Sequence, residues 1–157
     1  MGMEKLFDGA RFAQVGFVVN DINEAKAKYA AAFGCEEPGT CTGGDYEVTQ
    51  AKVFGEPAPE ADCTMAFFNL SSGVQLELIQ PNDAPSVWRD HLNQYGEGIH
   101  HIAFNVDNAD EVVKKCLALG MKVEQEGNYG DNSGRYIYID AFDLLKCRIE
   151  LLESFNK

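Results

Sequence analysis

The stretch EGIHHIAFNV, residues 97–106, sets His100 beside His101 at the start of an alternating apolar run. A neutral imidazole can ligate a divalent metal or move a proton near neutral pH. In an extended strand adjacent side chains point to opposite faces, so at most one of the two rings is expected to face a site. His100 is in phase with Ile102, Phe104 and Val106, a row that would lie under a packed helix, whereas His101 is in phase with the small or polar Ala103 and Asn105. His101 is therefore the candidate. A lone strand histidine is more often a hydrogen-bonded structural residue than a ligand, so the reading needs further donors.

An internal repeat supplies them. AQVGFVVNDINEAKAKYAAAFG (13–34) and HHIAFNVDNADEVVKKCLALG (100–120) both read as strand, polar turn, helix and terminating glycine. Asp21 with Glu24 fits a helix N-cap and its reciprocal carboxylate, and Gly34 a helix end; Asn108, Glu111 and Gly120 repeat the pattern. Alignment puts Gln14 at the place of His101, out of phase with Ala13, Val15, Phe17 and Val19. VQLELIQ (74–80) matches CRIELLE (147–153), which sets Glu77 against Glu150, each between apolar neighbours that point the other way. Four polar residues thus occupy equivalent places.

The elements that must position them follow. Strand-like segments are expected at about 46–54, 63–70 and 73–80 in the first half, and at about 121–127, 134–140 and 146–152 in the second, with GEPAPEAD as a loop. DAPSVWRDHLNQYGEG between the halves reads as a short helix and linker. The fold expected is α+β: two paired βαβββ modules forming a curved, half-open, eight-stranded cup. The 157 residues, 45% hydrophobic and 24% charged, suit a single domain, with module one at about 12–80, the linker helix at about 84–96 and module two at about 99–153.

Composition narrows the partners. A formal net charge of −12 with thirteen scattered Lys and Arg argues against a nucleic-acid role, which needs clustered cations. The start MGMEKLFDGARF is not signal-like and no long apolar run is present, so a cytoplasmic chain without membrane attachment is expected. Cys35, Cys41, Cys63, Cys116 and Cys147 show no CxxC spacing and read as reduced thiols. No Ser/His/Asp or Cys/His signature suggests a covalent route.

The paired modules, GEGIHHIAFNVDN and the two LEL/IEL strands resemble the vicinal oxygen chelate superfamily, which includes glyoxalase I, methylmalonyl-CoA epimerase, extradiol dioxygenases and bleomycin-resistance proteins. The likeness runs from Phe12 to Glu153, and GEGIHHIAF looks most like the epimerase branch. It implies Gln14, Glu77, His101 and Glu150 as ligands of a divalent ion such as Zn²⁺, Co²⁺, Ni²⁺ or Mn²⁺. The activity it implies is that of a lyase or isomerase moving a proton through a metal-bound enolate, with Glu150 as the first candidate base and Glu77 as the second. The substrate implied is a small molecule, either a thiol hemithioacetal or an acyl-CoA thioester.

The ligand set resembles one form of glyoxalase I. Epimerases of the family usually carry His at the place of Gln14, Gln at that of Glu77 and a further glutamate that falls here at or near Met65, with Glu60 upstream as a possible substitute. Extradiol dioxygenases usually present two histidines and one glutamate, which Gln14 argues against. A metal-free binding protein of the bleomycin-resistance type is the alternative. Phe67, Tyr136 and Tyr138 are candidate cup walls, and Arg135 a candidate for a substrate carboxylate or phosphate. His100 is expected at the back of the sheet near the helices, hydrogen-bonded and partly buried; His91 at the surface; Trp88 as a packing anchor. A homodimer is expected, because paired modules leave sheet edges that a second copy can cover.

Overall fold

The structure is a computed structural model that describes residues 5–156; the first four residues, within the N-terminal stretch discussed above, and Lys157 lie outside the described residues. Local signals set the helix ends. Asp21 is extended and accepts from Glu24 N at 3.0 Å, and Gly34 closes α1 (Ile22–Phe33) in the left-handed region at φ 67°. The Glu24 carboxylate does not reach back to the cap as expected; it pairs with Lys28 one turn on. Asn108 caps α4 (Ala109–Ala118) in the same way, and Gly120 follows at φ 86°. Between them lies α3 (Val87–Tyr95), capped by Ser86, and two single-turn helices complete the set, α2 (Tyr46–Thr49) and α5 (Phe142–Leu145).

Among the described residues, ten strands form one curled, open sheet. Seven are long: β1 (Arg11–Val18), β5 (Cys63–Asn69), β6 (Gln75–Pro81), β7 (Gly98–Asn105), β8 (Lys122–Asn128), β9 (Gly134–Asp140) and β10 (Arg148–Ser154). Three have two residues each: β2 (Cys41–Thr42), β3 (Lys52–Val53) and β4 (Glu56–Pro57). The order is β2-β5-β6-β1-β7-β10-β9-β8-β3-β4. The centre of the sheet is symmetric in register. Val15 faces Ile102 across the antiparallel β1–β7 pair, with Gln14↔Ala103 on one side and Gly16↔His101 on the other. Glu77 then stands beside Gly16 in the parallel β1–β6 pair, and Glu150 beside Ala103 in the parallel β7–β10 pair.

The outer face packs on the helices. Ala66, Phe68 and Leu78 meet Ile22 and Ala30 of α1, while Ile137, Ile139, Ile149 and Leu151 meet Ala109 and Cys116 of α4. Helices of this length are marginal alone, so the burial of these side chains, at roughly 1.5–3 kcal/mol for each of the larger ones, is what holds them.

The first half departs from the eight-stranded expectation. The strand expected over 46–54 is absent as such: residues 46–49 are the turn of helix α2, and only Lys52–Val53 pairs, with β8 of the other half. The cause is tertiary. Residues 41–53 leave the edge at β5 and cross to the opposite edge at β8, so the middle of the segment has no strand beside it. Gly44 (φ 107°) makes the crossing possible, since a Cβ there would come within 2.7 Å of Gly130 Cα. Asn128 Nδ2 donates to Val48 O at 3.1 Å and secures the far side.

Candidate functional site

Four adjacent strands, β6, β1, β7 and β10, each send one polar side chain to the concave face: Glu77, Gln14, His101 and Glu150. All four are buried, at 5%, 4%, 1% and 4% exposure. His101 Nε2 lies 2.9 Å from Glu150 Oε2, 3.3 Å from Glu77 Oε2 and 3.0 Å from Gln14 Oε1. All four come from one chain. Gly16 is what lets the imidazole lie down, because a Cβ there would overlap the His101 ring.

Electrostatics bind the group tightly. Burial by itself would lower the His101 pKa, but the Glu150 and Glu77 carboxylates outweigh it and raise the value from 6.5 to about 9. Burial pushes the Glu77 carboxyl up, against the hydrogen bond from His101, and Glu150 adds to the rise. Gln14 Nε2 donates to Gln75 Oε1 at 2.8 Å, which turns Oε1 toward the two carboxylates. The reversed amide, whose nitrogen donates to Glu77 and Glu150 at 3.0 Å, satisfies these atoms in the metal-free protein, whereas a metal bound among them would take the oxygen.

Glu77, His101 and Glu150 form a buried cluster whose ligand atoms lie within 4.8 Å of one another. A metal with bonds of about 2.0–2.2 Å sets neighbouring ligands roughly 3 Å apart. The 2.9–3.3 Å spacings around His101 Nε2 match that edge length. Imidazole nitrogen, two carboxylates and an amide oxygen suit a borderline or hard divalent ion, so the residues fit the group that the resemblance implies.

Gln14, Glu77 and Glu150 form part of the wall of a cavity of about 620 Å³, a size suited to a small organic molecule. Phe67, Tyr136 and Tyr138 line it. Tyr138 accepts from Trp88 Nε1 at 3.0 Å and Tyr136 from Gln125 Nε2 at 3.2 Å, so both rings are held in place. Trp88 is an anchor as expected and a cavity wall as well.

Arg135 is not brought to this cavity. It alternates with Tyr136 and Tyr138 on β9, so it projects to the helix side, where it pairs with Glu153 at 2.7 Å and Asp110 at 2.9 Å. Met65 lines the cavity, while Glu60 is exposed and outside it. His91 is buried rather than at the surface, its Nδ1 accepting from Arg148 Nη1 at 3.1 Å. His100 is hydrogen-bonded near a helix as expected, but fully buried and on the His101 side. The pairing of β1 with β7 steps from Gly16↔His101 to Phe17↔Ile99, leaving His100 as a bulge residue that escapes the alternation.

Sequence reasoning missed the far wall: Cys41, Gly44, Asp62, Tyr129 and Gly130. These residues lie on the crossing segment and on the loops it meets. Only the glycines of CTGGD and NYGD hinted at a tight backbone approach. Asp62 is tied down, its carboxylate accepting from Gly43 N at 2.9 Å and Cys63 N at 2.8 Å.

Comparison with known proteins agrees with this architecture. The chain is 26% identical over 144 residues to YqjC, an uncharacterized protein of Bacillus subtilis, covering 91% of each. A Streptomyces coelicolor methylmalonyl-CoA epimerase variant in complex with 2-nitronate-propionyl-CoA has a similar fold, with a TM-score of 0.64 at 24% identity over 92% of this chain and 97% of that one. The Mycobacterium tuberculosis methylmalonyl-CoA epimerase gives 0.63 at 22% identity, over 98% and 93%. A sequence model described as the glyoxalase/bleomycin resistance protein/dioxygenase superfamily matches residues 13–138, and with the match spanning both halves of the sheet, the chain belongs to that family, the vicinal oxygen chelate proteins.

Proposed function

We propose that the protein is a metal-dependent lyase or isomerase that moves a proton next to a carbonyl group of a small molecule. The observation that carries this reading is the convergence of one amide, two carboxylates and one imidazole from four adjacent strands, the amide and both carboxylates forming part of a cavity wall and the imidazole lying against them. Gln14, Glu77, His101 and Glu150 would hold the divalent ion. No Lys, Arg or His lines the cavity among the described residues, so a bound ion would supply the positive charge that stabilises an enolate oxygen.

The protein's own groups do the rest. Glu150 is the proton-transfer group and Glu77 the second carboxylate, since both reach the cavity wall while Glu60 does not. Phe67, Tyr136, Tyr138 and Trp88 orient the apolar part of the substrate and exclude water. The Cys63 thiol, also in the wall, is pushed up by burial and by Glu77, and so stays protonated and unsuited to nucleophilic attack. The substrate classes we propose are acyl-CoA thioesters, which the epimerase complex makes the first to test, and thiol hemithioacetals.

Metal analysis of protein purified without added ions, followed by assays on a chiral branched acyl-CoA and on a hemithioacetal, tests the reading. Glu150→Gln is expected to retain part of the metal, lose solvent exchange of the substrate proton, and turn over roughly 10² times more slowly or worse. Normal turnover of that variant with metal bound rejects the assignment. The ring of aromatics in the wall also suits a metal-free binding protein; ligand binding unchanged by chelator would favour that second reading.

A further inference from the structure

The His100–His101 contact is explained neither by alternation nor by the ligand set. At the β7 bulge the two rings lie at 88° with centroids 5.2 Å apart, and their Nδ1 atoms are 2.9 Å apart. Two nitrogens at that separation share one proton, and the other nitrogens decide which ring carries it. His100 Nε2 lies 3.3 Å from the carbonyl oxygen of Val87, a group that can only accept. That nitrogen therefore carries hydrogen. In a neutral ring the Nδ1 of His100 is then a lone pair, and His101 Nδ1 must donate to it.

We propose that His100 is a positioning residue: anchored on the Val87 carbonyl, it holds the proton of His101 on Nδ1, so that Nε2 is the nitrogen presented to Gln14, Glu77 and Glu150. The inference rests on the reading of His101 as a ligand and adds what orients it. Three features hold the relay. Tyr138 packs against both rings, with centroids 5.3 Å from His100 and 5.1 Å from His101. Arg148 Nη1 donates to the backbone oxygen of His100 at 3.2 Å. His100 is itself buried, wedged between the Val87 carbonyl and the His101 ring, and a His101 that gives its Nε2 lone pair to a metal carries its hydrogen on Nδ1, facing the His100 Nδ1.

Long-range ¹H–¹⁵N spectra of the histidines, on chelator-treated and on zinc-loaded protein, read this directly. Expected is His100 protonated at Nε2 alone, with scalar coupling across the hydrogen bond between His101 Nδ1 and His100 Nδ1. Protonation of His100 at Nδ1, or no such coupling, overturns the proposal. His100→Leu is expected to weaken zinc binding by about 10–100-fold, the usual scale for a group that orients a ligand. His100→Asn, which can return an acceptor oxygen near the Nδ1 position, is expected to recover most of it. Wild-type zinc affinity in His100→Leu, or equal loss in both variants, also overturns it; if His100→Leu does not fold, the wild-type spectra decide. Wild-type protein that binds no zinc but keeps the coupling rejects the ligand reading, whereas zinc bound without the coupling rejects only the role of His100.

Discussion

The half of the sheet that bears His101 and Glu150 is built on regular ladders, β7 on β10 on β9 on β8. The half that bears Gln14 and Glu77 is not: its outer part, residues 41–58, holds three two-residue strands and a single helical turn, and it crosses the cup to join the other edge. The donors differ in the same sense. The regular half gives an imidazole and a carboxylate held in a continuous ladder, and the irregular half a carboxylate and a neutral amide. Under the proposed metal reading both halves would supply donors, the stronger nitrogen donor coming from the regular half, while the crossing segment of the irregular half adds a wall to the cavity.

The largest effect expected from this contrast concerns the donors. His101→Ala should remove most bound metal, while Gln14→Ala, which deletes the weaker amide donor, should cost about tenfold in affinity. Equilibrium dialysis against zinc measures both, and a greater loss in Gln14→Ala would reverse the comparison. Proton competition provides an intermediate test. The His101 pKa of about 9 lies above its ordinary 6.5, so a metal must displace a proton from Nε2 at neutral pH. Zinc affinity should then rise about tenfold per pH unit between pH 6 and 8. In metal-free protein the sign for stability is opposite: the stabilisation from protonated His101 is complete below 6.5 and is lost as pH rises through about 9. A melting temperature of chelated protein that climbs over that range would contradict it, and His101→Ala should flatten the profile.

The last test concerns the crossing segment. Gly44→Ala meets Gly130 backbone and a positive φ together, whereas Gly55→Ala, at φ 80°, meets nothing within 4 Å. Costs of about 2–3 and about 1 kcal/mol follow for the two variants, measurable by urea unfolding. Equal costs would mean that the segment does not press on the opposite loop.

Periodicity and pairing by repeat were enough to place Gln14, Glu77, His101 and Glu150 on equivalent strand positions, because each strand spends most of its length in one regular ladder, where a side chain's face follows from its parity. The same local rules set the caps at Asp21, Asn108 and Ser86, where a side-chain oxygen needs only the backbone three residues on. They failed where a distant backbone intervened. YEVTQAKVF has strand-like composition, yet spans the gap between two sheet edges and finds no continuous partner, so most of it is not strand. His100 follows parity only until the bulge opposite Gly16 and Phe17 turns it toward His101, and Arg135 faces away from the cavity because its neighbours on β9 take the inner face. Sequence order carries the phase of each strand; which backbone lies beside it, and where one residue too many must be accommodated, is decided only when the two halves close on each other.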